Sequence, residues 1–176
     1  YGLAYREGAL MDSQRPIPTS HQSRQNRLIQ ERVHDPYMSK SKLPEPTACP
    51  QCQAVYHQGR WTWTPRPAGA HEEMCPACLR IRDQYPAGYL TLSGIYLQGH
   101  KTDIINLAHN EEAAEKAEHP LHRIMAVEEH ADQIIITTTD IHLPRRIGEA
   151  LHRAHHGELD FHYEEEGIPL RVYWQR

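Results

Sequence analysis

All four cysteines of the chain fall in two Cys-x-x-Cys pairs, and this pattern constrains the fold more than any other feature of the sequence. Cys49 and Cys52 form one pair, and Cys75 and Cys78 form the other, with 22 residues between the pairs. A two-residue gap lets a tight turn direct two thiolates at one ion, so each pair supplies half of a tetrahedral Zn²⁺ site. The sequence therefore predicts a structural zinc ribbon with these four cysteines as ligands and Zn²⁺ as cofactor.

Two other interpretations of the cysteines remain open. The four thiols could form disulfides, or one pair could be a redox dithiol of the thioredoxin type. No βαβ unit precedes either pair, which disfavours redox chemistry, and a closed shell of four ligands leaves no open position for catalysis. His57 and His71 are close enough in sequence to replace a cysteine ligand, but four thiolates already complete a tetrahedron.

The N-terminal half of the chain is basic and the C-terminal half is acidic. The formal charge of −4 is made up of +3 over residues 1–90 and −7 over residues 91–176. Apolar residues are 39% of the total and Phe occurs once, so we expect the metal to stabilise the cysteine-rich part by on the order of 10 kcal/mol. No run of about 18 apolar residues is present, so we expect a cytoplasmic protein with no membrane partner.

Composition and pattern predict an α+β protein in three parts. Residues 1–47 are rich in Gln, Ser, Arg and Pro and lack apolar anchors, which predicts a basic extended arm. Residues 48–90 form the zinc ribbon, in which two short β-prone runs flank a turn at Gly59. Residues 91–176 form a small α-β-β-α-β-β domain.

Helical and alternating apolar patterns define the elements of the third part. They predict a helix over 100–118 and strands over 124–127 and 133–138. They further predict a helix that Thr139 or Asp140 caps and that continues through residues 145–154 until Gly157, followed by strands over 159–163 and 170–174. The preceding run, residues 87–92, fits either a strand or a linker.

Basic side chains of the arm and ribbon are the candidate nucleic-acid contacts. Residues 15–42 carry a net charge of +4, and Trp61 and Trp63 alternate beside arginines, as in surfaces that stack bases and bind phosphates. The candidates are Arg24, Arg27, Arg32, Lys40, Lys42, Arg60, Trp61, Arg66, Arg80 and Arg82. Two plainer interpretations remain: the arm is a solvated tail, and the tryptophans cover the metal site of a ribbon with little core.

Several strings of the chain resemble a known family. The order of paired knuckles, a helix containing Ile-Ile-Asn-Leu, a β pair, Arg-Arg-Ile-Gly-Glu-Ala-Leu and a final Leu-Arg-Val-Tyr-Trp resembles the N-terminal half of the NMD-type export adaptors of the large ribosomal subunit. The chain is also similar to bacterial zinc-ribbon proteins related to those adaptors, through residues 34–37, 43–46, 59–61 and 139–142. The adaptors carry more metal-binding knuckles and further C-terminal domains, so the resemblance implies only binding to the ribosome surface.

The expected function is that of a non-catalytic ribosome-associated factor. The basic arm and ribbon bind ribosomal RNA, and the acidic domain contacts basic ribosomal proteins, because a ribosome exposes both phosphates and basic proteins. The site is expected on the large subunit or the subunit interface, where a stress or hibernation factor would act. Away from the ribosome we expect a monomer.

Two other classes of function were weighed against this one. A ribbon with flanking arginines is equally suited to a DNA-binding or transcription-associated regulator. An enzyme could use His142, His152, Asp160 and His162, but Asp160 and His162 fall on one predicted solvent face of a strand. Hydrolase, phosphate-loop and zinc-protease motifs are also missing from the sequence, so no catalysis is expected.

Overall fold

The structure is a computed structural model that describes residues 35–38, 42–164 and 168–176. The predicted contacts Arg24, Arg27, Arg32 and Lys40 lie outside the described residues, as does most of the predicted arm. The elements of the described part are β1 (Thr47–Ala48), β2 (Val55–His57), β3 (Arg60–Thr62), β4 (His71–Glu72), α1 (Pro76–Asp83), β5 (Gly88–Ser93), α2 (Ile95–Glu118), β6 (Ile124–Glu129), β7 (Gln133–Thr138), α3 (His142–His155), β8 (Glu158–Tyr163) and β9 (Leu170–Gln175).

The ribbon is a small four-stranded sheet with the order β3-β2-β1-β4. Strands β2 and β3 form the hairpin predicted around Gly59. Its two turn residues, Gln58 (φ 51°) and Gly59 (φ 77°), both have positive φ, as a two-residue hairpin turn of type I′ requires. Strand β1 pairs antiparallel with β2 and parallel with β4, which brings the chain before Cys49 beside the chain before Cys75.

The second sheet has five strands in the order β6-β7-β5-β9-β8. The predicted α-β-β-α-β-β order is present as α2-β6-β7-α3-β8-β9. It is preceded by β5, which lies at the centre of the sheet, antiparallel to β7 and parallel to β9. Strand β5 crosses the boundary predicted at residue 90, because its alternating Leu90 and Leu92 are both fully buried in the core of the larger domain.

Helix α3 packs directly on the five-stranded sheet. A Cβ atom on Gly148 would lie 2.9 Å from Leu159 Cδ1 and 3.0 Å from Val172 Cγ1. Because glycine has no side chain, α3 can approach the sheet closely at this position. Trp174 is completely buried on the same face and its Nε1 donates to the carbonyl of His156 at 2.7 Å. The predicted alternation of β9, with Leu170, Val172 and Trp174 inside, is confirmed.

Helix α2 is longer than predicted and bends near its start. It begins at Ile95, and His100 has a non-helical backbone (φ −130°). Ile104 and Ala108, one turn apart on its inner side, are both completely buried. No helix within the described ranges has the length and apolar character needed to cross a membrane.

Candidate metal centre

The first cysteine pair lies in a tight turn between β1 and β2. The Cys49 amide donates to the carbonyl of Ala54, and the Gln53 amide donates to the carbonyl of Cys49. Gln53 has a positive φ of 67°, which closes the turn and directs Cys49 and Cys52 to the same side.

The second pair lies at the N-terminus of α1. Cys75 is the N-cap residue, and its Sγ accepts a hydrogen bond from the Cys78 amide at 3.5 Å. Pro76 occupies the first helical turn, where its missing amide proton would have had no helical partner. The helix therefore presents Cys75 and Cys78 together, and a bond from the Cys75 amide to Cys49 Sγ at 3.4 Å links the two pairs.

The four sulfur atoms form one cluster that could hold a metal ion. All of them lie within 4.8 Å of one another, and all four cysteines are free thiols. The Cys52 and Cys75 Sγ atoms are 3.7 Å apart, which matches the separation of about 3.8 Å expected for two ligands of a tetrahedral ion with metal–sulfur distances of about 2.3 Å. His57 and His71 do not belong to the cluster.

Arg123 completes the surroundings of the sulfur atoms and was not predicted from the sequence. It immediately precedes β6 of the other sheet and is 8% exposed. Its guanidinium donates to Sγ of Cys52 at 3.1 Å and of Cys78 at 3.4 Å, and its Nε donates to the carbonyl of Pro120 at 2.6 Å. Four thiolates around a divalent ion carry a net charge of −2, and this guanidinium offsets half of it.

The pKa values of these groups follow from their contacts. A hydrogen bond with Cys75, aided by the charge of Arg123, lowers the pKa of Cys52 to about 4. The same hydrogen bond and burial raise the pKa of Cys75, and burial raises the pKa of Cys78. Burial opposes the charge of Arg123, but its bonds to the sulfur atoms raise its pKa further. The cluster thus holds one readily formed thiolate, that of Cys52, beside the thiols of Cys75 and Cys78, which give up their protons when a cation binds.

Further contacts join the ribbon to the larger domain around this centre. Trp63 Nε1 donates to the carbonyl of Lys116, in the last turn of α2, at 2.6 Å. The Trp63 ring also lies 5.8 Å from the Arg123 guanidinium carbon, and Leu121 packs against the cysteine cluster. The metal site therefore lies at the junction of the two sheets.

Two of the predicted nucleic-acid contacts, Arg60 and Trp61, line a cavity beside the cysteine cluster. The cavity has a volume of ≈ 330 Å³, and Tyr56, Trp61, Arg60 and Met74 contribute to its lining. The rings of Tyr56 and Trp61 lie 5.5 Å apart and are tilted by 57°. Trp61 also packs against the cysteine cluster, so it covers the metal site and lines the cavity at once.

The remaining predicted contacts have different surroundings. Lys42 is exposed and near Glu45, while the exposed side chains of Arg66 and Arg82 pair with Glu72 and Asp83. Arg60 is exposed and makes no ion pair with the residues that the structure describes.

Arg80 lies inside the protein and is 1% exposed. Its guanidinium donates to Asp35 at 2.5 Å and to the carbonyl of Tyr85 at 3.0 Å, and it stacks 4.5 Å from the centre of the Tyr37 ring. A surface phosphate cannot reach a side chain in this position. The sequence placed Arg80 among the contacts because helical position alone does not reveal which residue of α1 faces the Asp35 turn.

A partly buried histidine and two carboxylates, which the sequence did not predict as a group, lie near the junction. His122 Nδ1 is 2.9 Å from Glu115 Oε1, and His122 Nε2 is 3.8 Å from Asp140 Oδ2. Asp140 Oδ2 also accepts the His142 and Leu143 amides at 2.6 and 3.0 Å, so Asp140, one of the two predicted capping residues, caps the first turn of α3 from the position before the N-cap residue Ile141. Asp140 Oδ1 is buried and has no hydrogen-bond partner among the described residues.

The four residues weighed as catalytic candidates have separate roles. Asp160 and His162 lie on the exposed face of β8, 3.0 Å apart, as the alternation predicted. His142 begins α3, and His152 hydrogen-bonds the carbonyl of Gly157 near the end of the helix.

Comparisons with protein-family models, with characterised protein sequences and with solved structures each find no match to the chain. The features of the molecule that bear on its function are therefore the geometry of the cysteine centre and the surfaces beside it.

Proposed function

We propose that the chain is a non-catalytic, zinc-stabilised ribosome-associated protein that contacts ribosomal RNA with the ribbon. Zn²⁺ is the metal that four thiolates in a closed tetrahedral shell favour, and such a shell has a structural role. The proposed place of binding is the large subunit or the subunit interface, and in its narrower form the proposal is a stress or hibernation-type factor.

The observation that carries this proposal is the aromatic cavity beside the metal centre. Tyr56 and Trp61 offer ring surfaces on which an unpaired base can stack, and stacking is worth about 1–3 kcal/mol per base. Arg60 lies in the same lining and carries a charge that described residues do not neutralise. A stacking surface next to an exposed guanidinium is the arrangement by which proteins bind single-stranded RNA.

The other exposed candidate contacts of the ribbon and the segment before it should contribute less to RNA binding than Arg60. Lys42, Arg66 and Arg82 are exposed but already have carboxylate partners at 3.5, 2.6 and 2.7 Å. Their ion pairs must open or be shared when a phosphate binds, so we expect each to contribute less than Arg60. RNA binding should therefore depend on Arg60 and the cavity more than on the total charge of the ribbon.

Sedimentation of a cell lysate through a sucrose gradient tests the proposal. The protein should travel with the large subunit or with whole ribosomes at moderate salt, and Arg60→Gln should weaken the association and reduce its salt dependence by about one phosphate contact. Arg153→Gln is the matched control, because Arg153 is an equally charged, exposed residue on α3 in the other domain.

Two outcomes would contradict the proposal. One is a protein found only at the top of the gradient at moderate salt. The other is equal affinity of the purified protein for duplex DNA and ribosomal RNA, which would favour the DNA-binding regulator instead.

A further inference from the structure

The face of the five-stranded sheet opposite α3 has a defined composition because the strand register is known. Glu128, Ile135, Thr91, Tyr173 and Asp160 are successive partners across β6, β7, β5, β9 and β8. This row crosses the whole sheet with a carboxylate at each end and an aromatic ring between them. Side chains alternate along a strand, so the row faces away from the core residues that contact α3.

In the next row on the same face, an arginine side chain already stacks on a tyrosine ring. Tyr89 and Arg171 are direct partners on β5 and β9, and the Arg171 guanidinium carbon lies 4.6 Å from the centre of the Tyr89 ring. His162 approaches the Tyr173 ring edge-on at 5.4 Å. Tyr173 is 40% exposed, so part of its ring remains open to a further contact.

A shallow depression of ≈ 500 Å³ lies at one end of this face. Its polar lining consists of Glu158 and Asp160 from β8, Tyr173 and Gln175 from β9, and Ser93 from β5. Two carboxylates, one aromatic ring, one amide and one hydroxyl thus surround a single space. Glu158 makes no ion pair with the described residues, and Asp160 has only His162 within ion-pair distance among them.

We propose that this depression binds an arginine side chain of a basic protein segment. The planar guanidinium stacks on Tyr173 while its N–H groups donate to Asp160 and Glu158, an arrangement for which arginine is better suited than lysine. This site lies in the acidic domain and goes beyond RNA binding by the ribbon. If the proposed ribosome association holds, the partner is a basic ribosomal protein.

The charges of the face favour a protein segment over RNA. Glu128, Glu158 and Asp160 project from this face, and Arg171 is its one arginine or lysine in the described strands. A phosphate backbone laid across the sheet would meet three carboxylates and a guanidinium already stacked on Tyr89. A chain carrying positive side chains meets complementary charge in the same place.

Fluorescence anisotropy with a labelled peptide tests the proposal on the purified full chain. The peptide carries arginines separated by Gly and Ser, and its control carries neutral citrulline at the same positions. The arginine peptide should bind more tightly at about 0.1 M salt. Tyr173→Ala should weaken binding about fivefold to tenfold, since the stacking surface is lost, whereas Tyr173→Phe should retain it.

Charge-neutral variants distinguish binding at this depression from a general attraction of the arginine peptide to an acidic protein. Glu158→Gln and Asp160→Asn should each lower the affinity for the arginine peptide about threefold or more. Asp103 is an exposed carboxylate on α2, and Asp103→Asn should leave this affinity unchanged. Equal affinity for the arginine and citrulline peptides would overturn the proposal, as would equal weakening by all three carboxamide variants.

RNA is the other outcome that the experiment can reveal. A labelled single-stranded oligouridine that binds the wild type and loses affinity in Tyr173→Ala would assign the face to RNA and overturn the proposal. Arg60→Gln should leave peptide binding unchanged, and Tyr173→Ala should leave ribosomal RNA binding by the ribbon unchanged. Failure of the arginine site is thus distinguishable from failure of the proposed function.

Discussion

Arg123 carries a positive charge from the larger domain into contact with the candidate metal ligands. It is buried, and its charge is compensated only by sulfur atoms, at 3.1 to 3.8 Å from its terminal nitrogens, within the described residues. Hydrogen bonds to metal-bound thiolates orient the ligands and reduce their charge density. A buried guanidinium without those thiolates would be strongly destabilising.

Substitution of Arg123 should weaken metal binding. We expect Arg123→Met to lower the zinc affinity about tenfold to a hundredfold, and Arg123→Lys to restore part of it, because an ammonium group contacts fewer sulfur atoms. Competition with a chromogenic chelator measures the affinity, and Arg153→Met is the control for loss of an exposed arginine. Unchanged affinity in Arg123→Met would contradict the prediction.

Asp140 caps α3 while its charge is buried. Burial raises the pKa of this carboxyl above its ordinary value of 3.8, although the His142 and Leu143 amides favour the ionised form. Because the folded pKa is the higher one, the folded state binds more protons than the unfolded state between the two values. Stability from this group therefore falls as the pH rises from 3.8 through the folded pKa.

Two substitutions of Asp140 distinguish the contribution of its capping hydrogen bonds to stability from the contribution of its buried charge. Asp140→Ala should lower the free energy of unfolding by about 1 kcal/mol through loss of the cap. Asp140→Asn keeps a capping oxygen, so its stability relative to the wild type should increase as the pH rises above 3.8. Urea titrations of the three proteins at several pH values provide the measurement, and a constant difference between Asn and Asp across that range would refute the assignment.

At the scale of elements, the contact between α3 and the sheet depends on a missing side chain. Gly148 lies where a Cβ atom would meet Leu159 and Val172 at 2.9 and 3.0 Å. In α2, Gly99 is exposed and has no atom within 4 Å of the corresponding position. The same substitution should therefore have opposite effects in the two helices.

Gly→Ala substitutions at these positions test the packing. Gly148→Ala should lower the free energy of unfolding by about 1–3 kcal/mol, because the helix must move away from the sheet. Gly99→Ala should raise it by about 0.5–1 kcal/mol, since alanine is the better helix former and meets no neighbour. Thermal unfolding of both variants measures the difference, and destabilisation by both would show that Gly99 has another role.

At the scale of the whole molecule, the two sheets depend on different sources of stability. Away from the cysteines, the hydrophobic cluster of the ribbon consists of three small side chains, Ala48, Val55 and Ala70. The five-stranded sheet has a continuous core that includes Leu90, Ile136 and Trp174. We therefore expect the ribbon to depend on a bound metal for its stability and the larger domain to remain folded without one.

Removal of the metal should unfold one sheet and leave the other. After chelation, backbone amides of β1 to β4 should exchange with solvent, while those of β5 and β7 stay protected. Hydrogen exchange followed by mass spectrometry distinguishes the two sheets, and addition of Zn²⁺ should restore the ribbon. Simultaneous loss of protection in both sheets would mean that the junction at Arg123 is needed by the larger domain as well.

Features with a local pattern were determined by the sequence alone. Two cysteine pairs predicted a single cluster, alternation in β8 and β9 predicted their inner faces, and an aspartate before the apolar positions of α3 predicted its cap. In each case a few neighbouring residues contain the whole signal, because turn geometry, strand pleat and helix period act over short distances.

Only the tertiary structure decided the features that join distant segments. It gave residues 88–93 the central place in the larger sheet, brought Arg123 to cysteines more than 40 residues away, and buried Arg80 against Asp35. The six residues of this segment are compatible with either a strand or a linker when only their sequence is considered. The sequence near an arginine likewise does not reveal whether its side chain is exposed to solvent or buried against cysteine sulfur atoms. The cysteine spacing determined that the four thiols would form one cluster, and long-range packing decided which side chains surround it.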